Sequence, residues 1–180
     1  MTDLLSVEQR RRLLDLARSA ILATVAGRVP PDPDWFDLPE ASGVFVTIKR
    51  RGTLRGCLGT LQNRRGLAAE VVRCAIDSAR EDPRFPPVAA DELPELTVEI
   101  SVLGPLEPIE ASPGAFIVGV HGLVAEEGLH RGLLLPQVAT EWGWTPEQFL
   151  AQTCVKAGLR PDAWRHGTKI YSFVAEVFGD

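Results

Sequence analysis

At 180 residues, 45% hydrophobic and 24% charged, the chain has the composition of an ordinary globular protein, long enough to bury about 70% of the surface it exposes when unfolded. Its formal charge of −5 speaks against a general nucleic-acid binder, and no apolar run reaches the roughly 18 residues of a membrane span. Cys57, Cys74 and Cys154 are far apart and lack C-x-x-C spacing, which argues against a disulfide framework and a thiolate zinc site. Near the N-terminus charge follows the short apolar patch, with no small-residue cleavage site, so the expected location is the cytoplasm.

In chain order, Ser6 and Gln9 fit a capping box, and Leu13, Leu14, Ala17, Ala20 and Ile21 recur at helical spacing, predicting a helix over residues 7–24. Gly27 and the Pro30-Pro31-Asp32-Pro33 run end it, with Trp35 and Phe36 expected to anchor the loop. Residues 44–49 are strand-like by β-branched content, Arg50-Arg51-Gly52 is a turn, and residues 54–61 return as the second strand of a hairpin. A helix over residues 66–80 buries Leu67, Val71, Val72, Ala75, Ile76 and Ala79, and the three prolines of residues 81–87 make a rigid connector. Residues 96–102 alternate, with Leu96, Val98, Ile100 and Val102 toward a core.

Residues 116–120, 123–127 and 132–135 read as three short extended pieces, separated by turns at His121-Gly122 and at residues 128–132. Pro136 opens a helix through Glu141. Thr145-Pro146-Glu147-Gln148 starts another, which Gly158 closes. Residues 169–178 form the last strand, with Tyr171, Phe173, Ala175 and Val177 on one face. Intermixed helices and short hairpins predict an α+β fold with a mostly antiparallel sheet and flanking helices.

The chemistry gathers at Thr53-Leu54-Arg55-Gly56-Cys57-Leu58-Gly59-Thr60. On a regular strand Arg55, Cys57 and Gly59 share a face, so Arg55 would favour the Cys57 thiolate, and Gly56 and Gly59 would let a ligand approach. That reading makes Cys57 a nucleophile or thiol ligand. In the alternative, Cys57 is a small buried hydrophobe, Arg55 pairs across the sheet with Glu99, and the glycines permit tight packing or a bulge.

This stretch, with Gly43-Val44-Phe45-Val46-Thr47, Glu81-Asp82-Pro83-Arg84-Phe85, Val98-Glu99-Ile100-Ser101-Val102 and Gly132-Leu133-Leu134-Leu135-Pro136-Gln137, resembles the family of the AMME chromosomal-region gene product. Bacterial and archaeal members of this AMMECR domain family are called AmmeMemoRadiSam system protein A. The resemblance runs to the closing Tyr171-Ser172-Phe173-Val174-Ala175-Glu176-Val177-Phe178. It implies one domain over residues 1–180, with a larger subdomain of N-terminal, central and C-terminal segments and a smaller one within about residues 105–165, separated by a cleft. It also implies partnership with a Memo-type protein and a radical SAM protein. It supplies no established reaction, substrate or cofactor.

The candidate catalytic residues are therefore Cys57, Arg55 and Glu99, the last as acid, base or orienting group. Gly56, Gly59, Thr60, Asp82, Arg84, His121 and Gln137 complete a candidate binding set. Asp82 and Arg84 flank Pro83 in a stiff loop, where the aspartate can position a ligand or satisfy local backbone donors. A Cys57–His121 dyad would suit acyl or thiol chemistry. His121, His130 and His166 show no metal-ligand spacing. Lys49, Arg50, Arg51, Arg55, Arg64 and Arg65 form a basic rim, read either as a solvated edge or as an anionic pocket. Three functions follow in order: an enzyme or enzyme component acting on a small molecule or modified side chain, a non-catalytic protein-binding adaptor, and a nucleic-acid binder using the rim.

Overall fold

The computed structural model describes residues 3–33 and 37–180, so the expected anchors Trp35 and Phe36 lie outside the described residues. The fold is α+β with antiparallel strands. It divides into two compact units. One runs from the N-terminus to Gly104 and takes back Glu176–Asp180, and the other is Pro105–Ala175.

In the first unit α1 (Val7–Val25) starts at the Ser6–Gln9 capping box. The hairpin of β1 (Gly43–Arg50) and β2 (Thr53–Thr60) turns at Arg51 and Gly52, both with positive φ. After it come α2 (Leu67–Arg80), a 3-10 turn (Ala90–Glu95) and β3 (Leu96–Leu103). The strand order is β2-β1-β3. Val44, Val46, Ile48, Ile100 and Val102 on one sheet face join Leu13, Ala17 and Ile21 of α1 and Val71, Cys74 and Ala75 of α2 in one core. The closing residues are tied into this unit. Asp180 N–H donates to the Val98 carbonyl (3.2 Å) and Glu176 accepts from the N–H of Leu4 (2.7 Å).

The second unit holds β4 (Glu107–Ile109), β5 (His121–Glu127), β6 (His130–Leu134), α3 (Pro136–Glu141), α4 (Pro146–Lys156) and β7 (Lys169–Gly179), whose last residues belong to the first unit. Strand order is β6-β5-β7-β4. Thr145 caps α4 with Gln148 completing the box. Phe149 is at the centre of the core, edge-on to Phe116 with ring centroids 5.9 Å apart.

Three expectations are corrected here. Residues 116–120 form turns and no strand, because Gly119 takes φ +84° and the N–H groups of Val120 and His121 both return to the Ile117 carbonyl. His121 and Gly122, expected as a turn, instead open β5. β7 does not bury a single parity. Ile170 enters the second core, Phe173 is also buried, and Val177 is exposed.

Candidate functional site

The hairpin register decides where Cys57 points. Arg50 faces Thr53 and Lys49 faces Leu54, but Ile48 faces Gly56, leaving Arg55 without an opposed residue. Arg55 is thus the extra residue of a β-bulge. Without the bulge, pairing would continue from the turn and set Cys57 against Val46, on the core face. With it, Leu58 faces Val46 and Cys57 faces Thr47, which in turn faces Glu99 on β3. Cys57, Thr47 and Glu99 therefore stand in one row across three strands, on the face away from the helices.

Cys57 is half-buried, and its Sγ is 3.1 Å from Thr47 Oγ1. Cys74 and Cys154 are fully buried. Burial pushes the Cys74 thiol up to about 11 and raises that of Cys154 as well. Glu99 accepts from Lys49 Nζ at 3.0 Å, both side chains being about a third exposed.

The bulge also corrects the expected partner of Arg55. Its side chain does not reach across to Glu99 but grips Glu92 of the 3-10 turn with two bonds, Nε to Oε1 (2.8 Å) and Nη2 to Oε2 (2.9 Å), and donates to the Pro87 carbonyl. Arg55 first, then the Ala89 N–H, holds the Glu92 carboxyl down at about 2. Both side chains are nearly buried, so this pair fastens the 3-10 turn to the hairpin, while the bond to the Pro87 carbonyl ties in the end of the connector.

Gly56 and Gly59 do not open space for a ligand. A Cβ on Gly56 would run into the Ser78 carbonyl oxygen of α2, and one on Gly59 into the Phe45 ring. The Ser78 hydroxyl accepts from Leu58 N–H (2.8 Å) and donates to the Val46 carbonyl (2.7 Å), bridging two opposed residues of the hairpin. Thr60 closes a local turn with the backbone of Gln62.

Asp82 is buried, and Arg84 is beside it. The Arg84 side chain, then the N–H groups of Cys57 and Arg84, keep the Asp82 carboxyl far below the carboxylate range. The Phe85 ring has the Arg55 and Arg84 guanidinium carbons 5.9 and 5.5 Å from its centroid.

His121 and Gln137 belong to the second unit. His121 Nδ1 accepts from the Ile117 N–H at 3.0 Å, so a neutral ring carries its proton on Nε2 and is a donor there, unsuited to taking a thiol proton. Gln137 is exposed in the first turn of α3. Of the basic rim, Lys49, Arg50, Arg51 and Arg55 are paired with Glu99, Glu92 and Glu95, leaving only Arg64 and Arg65 unpaired among the described residues. A concentrated positive patch is therefore not present along the hairpin. Among the described residues there is no group of three or more metal-ligating side chains and no helix long and apolar enough to cross a membrane.

Sequence reasoning missed Thr47, Glu92 and Ser78. The strand parity of Thr47 was visible, but its pairing with Cys57 depends on the bulge. Glu92 lies 37 residues from Arg55 in a turn with no motif of its own.

A family model described as AMMECR1 matches residues 14–178. The chain belongs to the AMMECR1 family. A protein of Methanothermobacter thermautotrophicus is 46% identical over 97% of this chain and 95% of its own length, and one of Thermococcus gammatolerans is 51% identical over 92% and 87%. The crystal structure of the uncharacterised protein PH0010 from Pyrococcus horikoshii superposes with a TM-score of 0.83 at 43% identity, covering 99% of this chain and 94% of that one. These names carry no activity, so the function is argued from the site.

Proposed function

We propose that this AMMECR1-family protein is an enzyme or enzyme component whose Cys57 meets a small molecule or a modified side chain, as nucleophile or thiol ligand. The observation that carries the reading is the row of Cys57, Thr47 and Glu99 on the helix-free face of the first sheet. Adjacent strands lie about 4.8 Å apart. A group resting over Thr47 would have the sulfur on one side and the Glu99 carboxylate, steadied by Lys49, on the other, a placement suited to attack at one atom and proton transfer at another. Arg55 is held in its ion pair with Glu92 and lies outside this row. The Memo-type and radical SAM partners are an inference from family membership.

A second reading is favoured by the internal contacts of Arg55, Gly56, Gly59 and Thr60: a non-catalytic adaptor in which the motif is a structural keystone. Alkylation of the native protein, read by mass spectrometry with Cys74 and Cys154 as internal controls, decides between them. The enzyme reading expects Cys57 to label at least about tenfold faster than either control, because Cys57 is only half-buried whereas Cys74 and Cys154 are fully buried. A Cys57 that stays silent until unfolding leaves the adaptor.

A further inference from the structure

We propose that the Asp82–Arg84 pair is a charge-balanced brace on the Cys57 peptide and that Asp82 is the positioning residue of the thiol site. The inference rests on the reading of Cys57 as the reactive group. β2 is an edge strand of the first unit's sheet, so alternate peptides turn their N–H and C=O away from β1. At Cys57 both groups are taken by one ion pair. Asp82 Oδ2 accepts the Cys57 N–H at 2.9 Å, and Arg84 Nη2 donates to the Cys57 carbonyl at 3.4 Å.

The pair is itself closed. Asp82 Oδ1 takes the Arg84 N–H (3.1 Å) and Nε (3.0 Å), and Oδ2 takes Nη2 (2.7 Å). Asp82 is 3% exposed, whereas the Arg84 side chain is about half exposed. Pro83 stiffens the link between the two.

The brace has two consequences. It fixes the Cα of Cys57 in the register that sets Sγ against Thr47 Oγ1, and it occupies the sheet edge, so no further strand can add beside the thiol. It also balances charge near the sulfur. Arg55 of β2 is paired with Glu92 of the turn and Lys49 of β1 with Glu99 of β3, whereas the Asp82–Arg84 pair bonds directly to the Cys57 backbone. Cys74 lies beneath the sheet on α2 and is fully buried.

The test is the alkylation rate of Cys57 at neutral pH in Asp82→Asn, Arg84→Gln and the double variant, with amide exchange at Cys57 measured in Asp82→Ala. Asp82→Asn leaves the Arg84 charge unbalanced and should label several-fold faster than wild type. Arg84→Gln leaves the Asp82 charge unbalanced and should label several-fold slower, and the double variant should return near wild type. In Asp82→Ala the Cys57 amide should exchange faster. A brace that only held structure would loosen the edge in both single variants and speed both. Rates moving together, or not at all, in folded variants would overturn the positioning role while a reactive wild-type Cys57 left the thiol reading standing. A wild-type Cys57 silent until unfolding would remove both.

Discussion

The two faces of the first sheet obey different rules, although one eight-residue strand contributes to both. Under the helices, Val46, Ile48 and Ile100 are completely buried, Gly56 is flush against the α2 backbone, and the Ser78 hydroxyl is threaded between Leu58 and Val46. On the opposite face Cys57, Thr47, Lys49 and Glu99 are only half-covered, and polar contacts replace packing. The helix-facing residues of the motif are fitted so closely that their identity is a matter of shape. Cys57 is under no such constraint, since it is half-buried and its sulfur meets only the Thr47 hydroxyl as a polar partner. The contrast assigns stability to one face and, on the proposed function, chemistry to the other, and the bulge at Arg55 is what keeps them apart.

The contrast breaks most severely at Gly56. Gly56→Ala drives a methyl into the Ser78 carbonyl oxygen, an overpacking that neither backbone can relieve locally, and should lower stability by about 3 kcal/mol in urea unfolding. Native Cys57→Ala should lose less than about 1 kcal/mol in the same assay, since its sulfur is half-exposed and makes one weak contact. Equal losses would mean that both faces are packing surfaces.

The next effect probes the clamp that holds the 3-10 turn to the hairpin. The Glu92 carboxyl is depressed from an ordinary 4.5 to about 2, so it binds protons more readily unfolded than folded. Its contribution is therefore complete above pH 4.5 and is lost as pH falls toward 2. Glu92→Gln should cost about 2 kcal/mol at neutral pH, because the Arg55 and Arg50 donors lose a charged acceptor. Between pH 5 and 2 the variant should lose stability less steeply than wild type. Parallel pH curves would show that the pair is not what the acid limb titrates.

Much of this architecture is legible from local signals. The capping boxes at Ser6 and Thr145, the alternation of residues 96–102 and the hairpin turn at residues 50–52 each depend on neighbours within a few positions. What escapes is what depends on distance or on one inserted residue. Counting from the turn sets Cys57 against Val46, and nothing between Thr53 and Thr60 announces that Arg55 is the extra residue. Once it is, the expected Arg55–Glu99 pair gives way to Arg55–Glu92. Likewise Gly56 and Gly59 announce close approach but not of what, and the answer is a serine of α2 and a phenylalanine of β1. β4 was unreadable for another reason. It has three residues, one of them Pro108, and exists by pairing with β7.

The smallest expected effect is the sharpest on the chemical face. Thr47→Val keeps the shape and the β-branch of Thr47 and removes only the hydroxyl 3.1 Å from the Cys57 sulfur. Thr47 is half-buried on an open face, so stability should change by less than about 1 kcal/mol. A hydroxyl that donates to sulfur favours its anionic form, so the variant should alkylate several-fold more slowly, and Thr47→Ser, which restores the donor, should recover the rate. Faster labelling in the valine variant would mean that the hydroxyl accepts from the thiol and holds it in reserve. Set beside Gly56→Ala, which should shift unfolding far more than labelling, the pair forms a crossed comparison. If both variants moved both quantities together, the two faces of the sheet would have to be treated as one.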